Sequence, residues 1–398
     1  MRYVIVGGSI AGASATRAIR TNDPEGTIVM VTTEKPFYYR PLIPLIIDDE
    51  ITQEDIFFPE DIQKSHGIQM INDRAVALDT EKKELTLESG NMLEYDKLLI
   101  ATGSVPLLPD VPGTEKAFTL RTLTDAHKIK EAAAGASRTV ILGGGFVGIK
   151  AAGALLKLGL NVTIIEKLPQ ILFPRLDQKS AAMVQKKITE KGVGVITTET
   201  ITEVLDDGVS LTSGDVIEAD LVILAIGVSP NIGWLERSGL KTEKAVVVDE
   251  FLKTSAEDCY AAGDVVQAMD LVEERPAVSV LWTNAVDMGK AAGTNMAGGK
   301  KRYPGLLSVL NATEIEGLPM VSVGAVADEG GEVFIETGNG GYRKLVFRDD
   351  RLIGAIFMGR LKNSGIYTNW IKNQTPLGNL KDKAIKGTLS YVDFMPKQ

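Results

Sequence analysis

Short apolar runs that stop at glycine set the layout of this chain. Val4-Ile5-Val6 leads into Gly7-Gly8-Ser9-Ile10-Ala11-Gly12, and Val140-Ile141-Leu142 leads into Gly143-Gly144-Gly145-Phe146-Val147-Gly148. After the first loop, residues 13–20 read as a helix and 27–31 as a buried strand ending near Glu34. After the second, 150–158 read as a helix and 161–165 as a strand ending at Glu166. Strand, tight turn, helix, strand is the smallest right-handed parallel unit. Each half continues into brief strands cut by turn residues: 75–78, 84–87 and 95–100 in one, 201–205, 209–212 and 220–224 in the other. Both series close on an apolar run and a glycine, through Ala101-Thr102-Gly103 and through Ala225-Ile226-Gly227. The pattern reads as a duplicated module.

The loop residues follow a physical logic. Gly7 and Gly143 allow the sharp turn from strand to helix, and Gly12 and Gly148 let helix and strand pack closely. The middle position lets backbone approach a pyrophosphate seated on the helix N-terminus. Gly145 fills it in the second loop; Ser9 replaces glycine in the first. Glu34 and Glu166 stand 22 and 18 residues past the third glycines, where a carboxylate accepts hydrogen bonds from a ribose diol. Two such loops in one chain suit two dinucleotides, a flavin and a nicotinamide. A carboxylate at Glu166 repels a 2′-phosphate, so NADH is expected over NADPH, although Lys167 stands beside it.

Composition narrows the partners. The 398 residues are 44% hydrophobic and 24% charged, enough for two or three ordinary domains. The longest uncharged stretch, 221–235, is too short to cross a bilayer and contains Pro230 and Asn231. Met1-Arg2 runs straight into the first strand, leaving no room for a signal peptide. Cys259 is the single cysteine, which excludes an internal disulfide and favours a reducing, cytoplasmic setting. A net charge of −9 argues against general affinity for nucleic acid or anionic membranes, and with no stretch long enough to span a bilayer no membrane insertion is expected. Residues 341–398 nevertheless carry 11 Lys and Arg against 4 Asp and Glu. That excess suits either solvated lysines or a docking face for an acidic protein. Neither His66 nor His127 belongs to a constellation with acid and nucleophile, and no cluster has metal-ligand spacing, so no metal is expected.

A third signal, Tyr260-Ala261-Ala262-Gly263-Asp264, makes a resemblance specific. The order of glycine loop, Ala-Thr-Gly, second glycine loop and Gly-Asp resembles the FAD-dependent pyridine nucleotide–disulfide oxidoreductase superfamily over about the first 300 residues. The resemblance implies an α/β fold of two Rossmann-like dinucleotide-binding domains plus a small α+β C-terminal domain. Expected boundaries are 1–112 and 245–320 for the FAD-binding domain, 113–244 for the NAD-binding domain inserted in it, and 321–398 for the tail. It further implies that Asp264 bonds a ribitol hydroxyl, Glu34 holds the adenosine ribose, Val76 meets the adenine and Arg121 lies beside the flavin.

Departures from that pattern are informative. The superfamily's disulfide reductases carry a cysteine pair after the first ribose-binding acid, where this chain reads Tyr38-Tyr39-Arg40-Pro41-Leu42. Without a thiolate beside the flavin, disulfide reduction is excluded and the single-cysteine peroxidases and oxidases are disfavoured. The segment, with Trp282-Thr283-Asn284-Ala285, instead resembles the cysteine-free branch: NADH:rubredoxin reductases, ferredoxin reductases and the flavin domain of NADH-dependent nitrite reductases. Arg40 and Pro41 then lie near the FAD pyrophosphate. Leu45-Ile46 stand where ferredoxin reductases carry Ser-Lys, which favours the rubredoxin-reductase version. Lys150 replaces a glutamate common in relatives; facing the nicotinamide and plain helix solvation both remain open. The implied activity is hydride transfer from NADH to flavin, with electrons passing to a small acidic iron protein or an iron–sulfur subunit. An NADH oxidase using oxygen and a redox-responsive NADH-binding protein are the alternatives, and a homodimer or a complex subunit are both compatible.

Overall fold

The computed structural model describes residues 1–327, 330–338, 340–390 and 393. Its first sheet is parallel throughout, in the order Cys259–Ala261, Lys97–Ile100, Arg2–Val6, Thr27–Thr32, Ile68–Asn72. The second repeats that plan with Gly194–Thr197, Asn161–Glu166, Arg138–Leu142, Leu221–Leu224 and Phe118–Thr119. The duplication holds at the level of register. Val6 lies between Val31 and Ile100, and Leu142 lies between Ile165 and Leu224. These central strands are buried on both faces, which is why they read as unbroken Val, Ile and Leu.

Each module also carries a three-stranded antiparallel flap, Ala75–Asp79 with Glu84–Leu87 and Met92–Glu94, and Ile201–Val204 with Gly208–Leu211 and Val216–Glu218. A short antiparallel ladder, Ser104–Pro106 with Val228–Pro230, joins the modules. In the first module, helix Ile10–Asn22 packs on helix Trp282–Met296 at very close range. A Cβ on Gly289 would meet the Ala11 carbonyl at 2.3 Å, and one on Gly293 the Ala15 carbonyl at 2.3 Å. That contact draws Trp282 toward the first glycine loop.

The third unit is an antiparallel sheet ordered Leu310–Ile315, Leu318–Gly324, Arg351–Met358, Gly341–Arg348, Glu332–Gly338, with helices Ser364–Lys372 and Leu380–Lys386 against it. A hairpin turns at Asp349-Asp350, pairing Arg348 with Arg351. The sheet starts at Leu310, ahead of the expected boundary at 321. Leu310–Ile315 turns back through Glu316-Gly317, both at positive φ (46° and 74°), the geometry of a type I′ turn. Glu-Gly is not among the dipeptides that advertise such a turn, so the sequence gives no sign of it.

Candidate functional site

Both glycine loops open onto one continuous cleft of about 1810 Å³. Pockets for one small ligand run to roughly 300–1,000 Å³, so this cleft has room for two large ones. Every candidate position named above lines it except Gly12 and Gly148. Those two do their work one layer back: a Cβ on either would lie 2.1 Å from the carbonyl oxygen of Gly7 or Gly143. Gly7 sits at φ +122° with its own missing Cβ 2.1 Å from the Ala101 carbonyl, and Gly143 repeats this at φ +111° and 2.4 Å from Ala225. Gly145 has nothing within 4 Å on its Cβ side.

Helix caps show what the cleft is built to receive. Helices Leu123–Ala133 and Gln178–Glu190 have side-chain N-caps, from Thr122 and Asp177. The helices that begin in the cleft have none: Ser9, Gly145 and Leu281 stand at the N-cap positions of Ile10–Asn22, Phe146–Lys157 and Trp282–Met296 without a side-chain hydrogen bond. Their first-turn amides are left for an anion in the cleft. The cradle therefore fits the pyrophosphates of two dinucleotides.

The carboxylates at the strand ends differ. Glu34 accepts from Tyr38 Oη at 2.5 Å and from Arg40 Nη2 at 2.6 Å, while Arg40 Nη1 donates to the Arg121 carbonyl at 2.8 Å. Glu166 accepts only backbone amides, Gly144 at 2.7 Å and Leu168 at 2.9 Å. Deeper in the first half, Asp264 Oδ2 accepts from Ser104 Oγ at 2.8 Å and Arg121 Nη2 at 2.7 Å. Arg121 is aimed by the capping box beside it, since its amide donates to Asp125 at 2.9 Å. Burial drives the Tyr38 phenol well above its ordinary range, so it stays a neutral donor to Glu34.

Lys150 lines the cleft, and its Nζ donates to the Glu314 carbonyl at 2.6 Å, which ties the second module to the third unit. His66 is bonded to Ser65 at 2.8 Å and His127 is exposed on its helix; neither lines the cleft. Cys259 is buried 3.2 Å from Tyr95 Oη, and burial pushes its thiol up, away from the reactive thiolate. No cysteine lines the cleft. Sequence reasoning missed Ser104, which follows Ala-Thr-Gly and had only that adjacency to mark it. It also missed Arg175 and the strand residues Asn311 and Thr313, which reach the wall from remote segments without any spacing signal.

Fold and cleft together define an NADH-dependent flavoprotein oxidoreductase without a redox disulfide, with FAD and NADH as its cofactors. Residues 1–289 match the family described as pyridine nucleotide-disulphide oxidoreductase, and residues 307–375 match the rubredoxin NAD+ reductase C-terminal domain. The chain belongs to the pyridine nucleotide-disulphide oxidoreductase family. It is 32% identical to subunit epsilon of the NADH-dependent phenylglyoxylate dehydrogenase of Aromatoleum evansii, over 98% of this chain and 96% of that one. It is also 32% identical to an NADH oxidase of Methanocaldococcus jannaschii, over 78% and 73%. Among solved structures, the NADH:rubredoxin oxidoreductase of Clostridium acetobutylicum superposes with a TM-score of 0.81 at 26% identity, covering 98% of this chain and 99% of that one. Among the described residues, no helix is long and apolar enough to cross a membrane.

Proposed function

We propose that the protein carries electrons from NADH, by way of FAD, to a small iron protein such as a rubredoxin or ferredoxin, or to an iron–sulfur subunit of a complex. The observation that carries this reading is a single cleft with two uncapped phosphate loops and no cysteine in its walls. Bound FAD supplies the chemistry, accepting a hydride and releasing electrons one at a time. The chain supplies position and charge. Ser9, Ile10 and Ala11 offer the first loop's amides, with Glu34 for the ribose and Val76 for the adenine edge. Asp264, fixed by Ser104 and Arg121, presents an acceptor edge for a ribitol hydroxyl, and Arg40, Pro41, Trp282 and the Ala101-Thr102-Gly103 turn close that half. Gly145, Phe146, Val147, Glu166 and Gly227 form the corresponding bed for the pyridine dinucleotide.

The rubredoxin-reductase C-terminal match supports an iron protein as acceptor. The Aromatoleum relative, itself a subunit, supports a partner within a complex. Anaerobic titration of the yellow protein with NADH, followed by mixing with candidate carriers, tests the reading. NADH should bleach the flavin, and a carrier should restore the colour. A flavin that NADH leaves oxidised overturns it. The Methanocaldococcus relative favours a second reading, direct oxidation by oxygen. Aerobic NADH consumption that equals the carrier-dependent rate would establish that alternative.

A further inference from the structure

A second, smaller cavity of about 120 Å³ lies on the seam between the first module and the third unit. It has Thr283 and Leu310 in common with the cleft. Helix Trp282–Met296 forms one side, and Lys372, at the end of helix Ser364–Lys372, stands on the other. Its walls are pinned in place. Asn284 Nδ2 donates to the Leu307 carbonyl at 2.8 Å, the Leu271 amide to the Leu306 carbonyl at 2.9 Å, and the Tyr303 amide to the Glu250 carbonyl at 2.7 Å. Lys372 Nζ closes the seam on Asp287 at 2.6 Å.

Tyr303 lines this cavity and has no partner there. It is only 6% exposed, and its hydroxyl makes no hydrogen bond among the described residues. Buried polar groups are normally paired, so an orphaned phenol on a cavity wall marks a place for a ligand atom. Burial, with the charges of Asp287 and Asp270 acting in the same direction, raises its pKa above the ordinary tyrosine range. The hydroxyl is therefore a neutral donor, and it calls for an acceptor.

Charge and shape narrow the occupant. Lys301 stands at the cavity without an ion pair among the described residues, whereas Arg302 is held by Glu250 and Lys372 by Asp287. One free ammonium and one phenol donor suit a single negative charge, and the Asp287 carboxylate in the lining disfavours a dianion. Leu271, Ala291, Pro304 and Leu307 make much of the remaining wall apolar. A dry cavity of about 150 Å³ admits a benzene ring, so this one has the scale of a single ring.

We propose that the cavity binds a small aromatic monocarboxylate, with its carboxylate toward Tyr303 and Lys301 and its ring against the leucines. The site is distinct from both dinucleotide beds and independent of the electron acceptor's identity. Titration calorimetry with benzoate on the FAD-loaded protein, with and without saturating NAD+, tests it. One benzoate should bind per chain, with NAD+ leaving its affinity unchanged. Tyr303→Phe removes only an oxygen that holds no protein partner, so the fold is kept, and benzoate should bind about tenfold or more weakly. Lys301→Gln, a change at an exposed side chain, should show a comparable loss, and both variants should keep the wild-type affinity for NAD+. Benzamide, which has the ring without the charge, should also bind about tenfold or more weakly than benzoate. No saturation by about 10 mM benzoate, competition by NAD+, displacement by inorganic phosphate, or unchanged benzoate affinity in either variant overturns the assignment.

Discussion

Two glutamates at equivalent positions in a duplicated module are held in different electrostatic states. Glu34 is paired with the Arg40 guanidinium, whereas the Glu166 carboxylate accepts from two backbone amides and, among the described residues, has no cation paired to it. The second site should therefore resist an additional phosphate more than the first. Glu166→Ala is expected to narrow the NADP+ to NAD+ ratio of dissociation constants by about tenfold or more, read by titration of the oxidised protein. The glycines divide in a similar way. A methyl at Gly148 would collide with the Gly143 carbonyl, so Gly148→Ala should cost about 1–3 kcal/mol in denaturant unfolding. At Gly145 a methyl meets nothing of the protein, so Gly145→Ala should unfold like the wild type and lose only dinucleotide affinity. These loop roles were legible beforehand because strand, glycine spacing and a downstream acid encode them locally. Ser104 and Arg175 were not, because only the folded chain brings them to the same wall.

At the scale of single elements, two helix caps do more than start a helix. The box formed by Thr122 and Asp125 starts a helix and also aims Arg121 at Asp264. Asp177 caps helix Gln178–Glu190 and in addition accepts from Tyr342 Oη, with Lys344 Nζ at 3.5 Å. Burial works to raise the Asp177 pKa, but the hydrogen bonds from Ser180 and Tyr342 and the charge of Lys344 outweigh it, so the net shift is downward. A carboxyl depressed in the folded state stabilises above its unfolded pKa and loses that contribution as pH falls through the folded value. Asp177→Asn should therefore destabilise at neutral pH, by about 1 kcal/mol or more, and the gap to wild type should close below about pH 4. Thermal unfolding at a series of pH values measures both. The long parallel-sheet elements were visible in the sequence as apolar runs. Leu310–Ile315 was not, because its alternation is weak and its turn residues are uncharacteristic.

Across the whole molecule, the third unit is fastened to both modules. Lys344 and Tyr342 reach Asp177, Lys150 reaches Glu314, and Lys372 pairs with Asp287 at 2.6 Å. These contacts also revise the charge argument for docking. Much of the tail's positive excess is matched by acids from outside residues 341–398, including Glu332, Glu336, Asp177 and Asp287. Lys381 is paired with Glu332 and Lys383 with Asp393, while Lys386 is exposed without an ion pair among the described residues; Lys397 lies outside them. Reversing Lys381 or Lys383 would break local structure before it reported on docking. Lys386→Glu is the cleaner probe, and it is expected to change the carrier-reduction rate by less than about threefold at physiological salt. A larger drop with a flattened ionic-strength dependence would restore the tail as the acceptor's landing face. The chain's one sulfhydryl, buried against Tyr95 on an edge strand of the first sheet, has a bearing on endurance. Alkylating reagents and the peroxide formed when electrons stray to oxygen find no thiol within reach, so turnover does not depend on a group that those agents destroy.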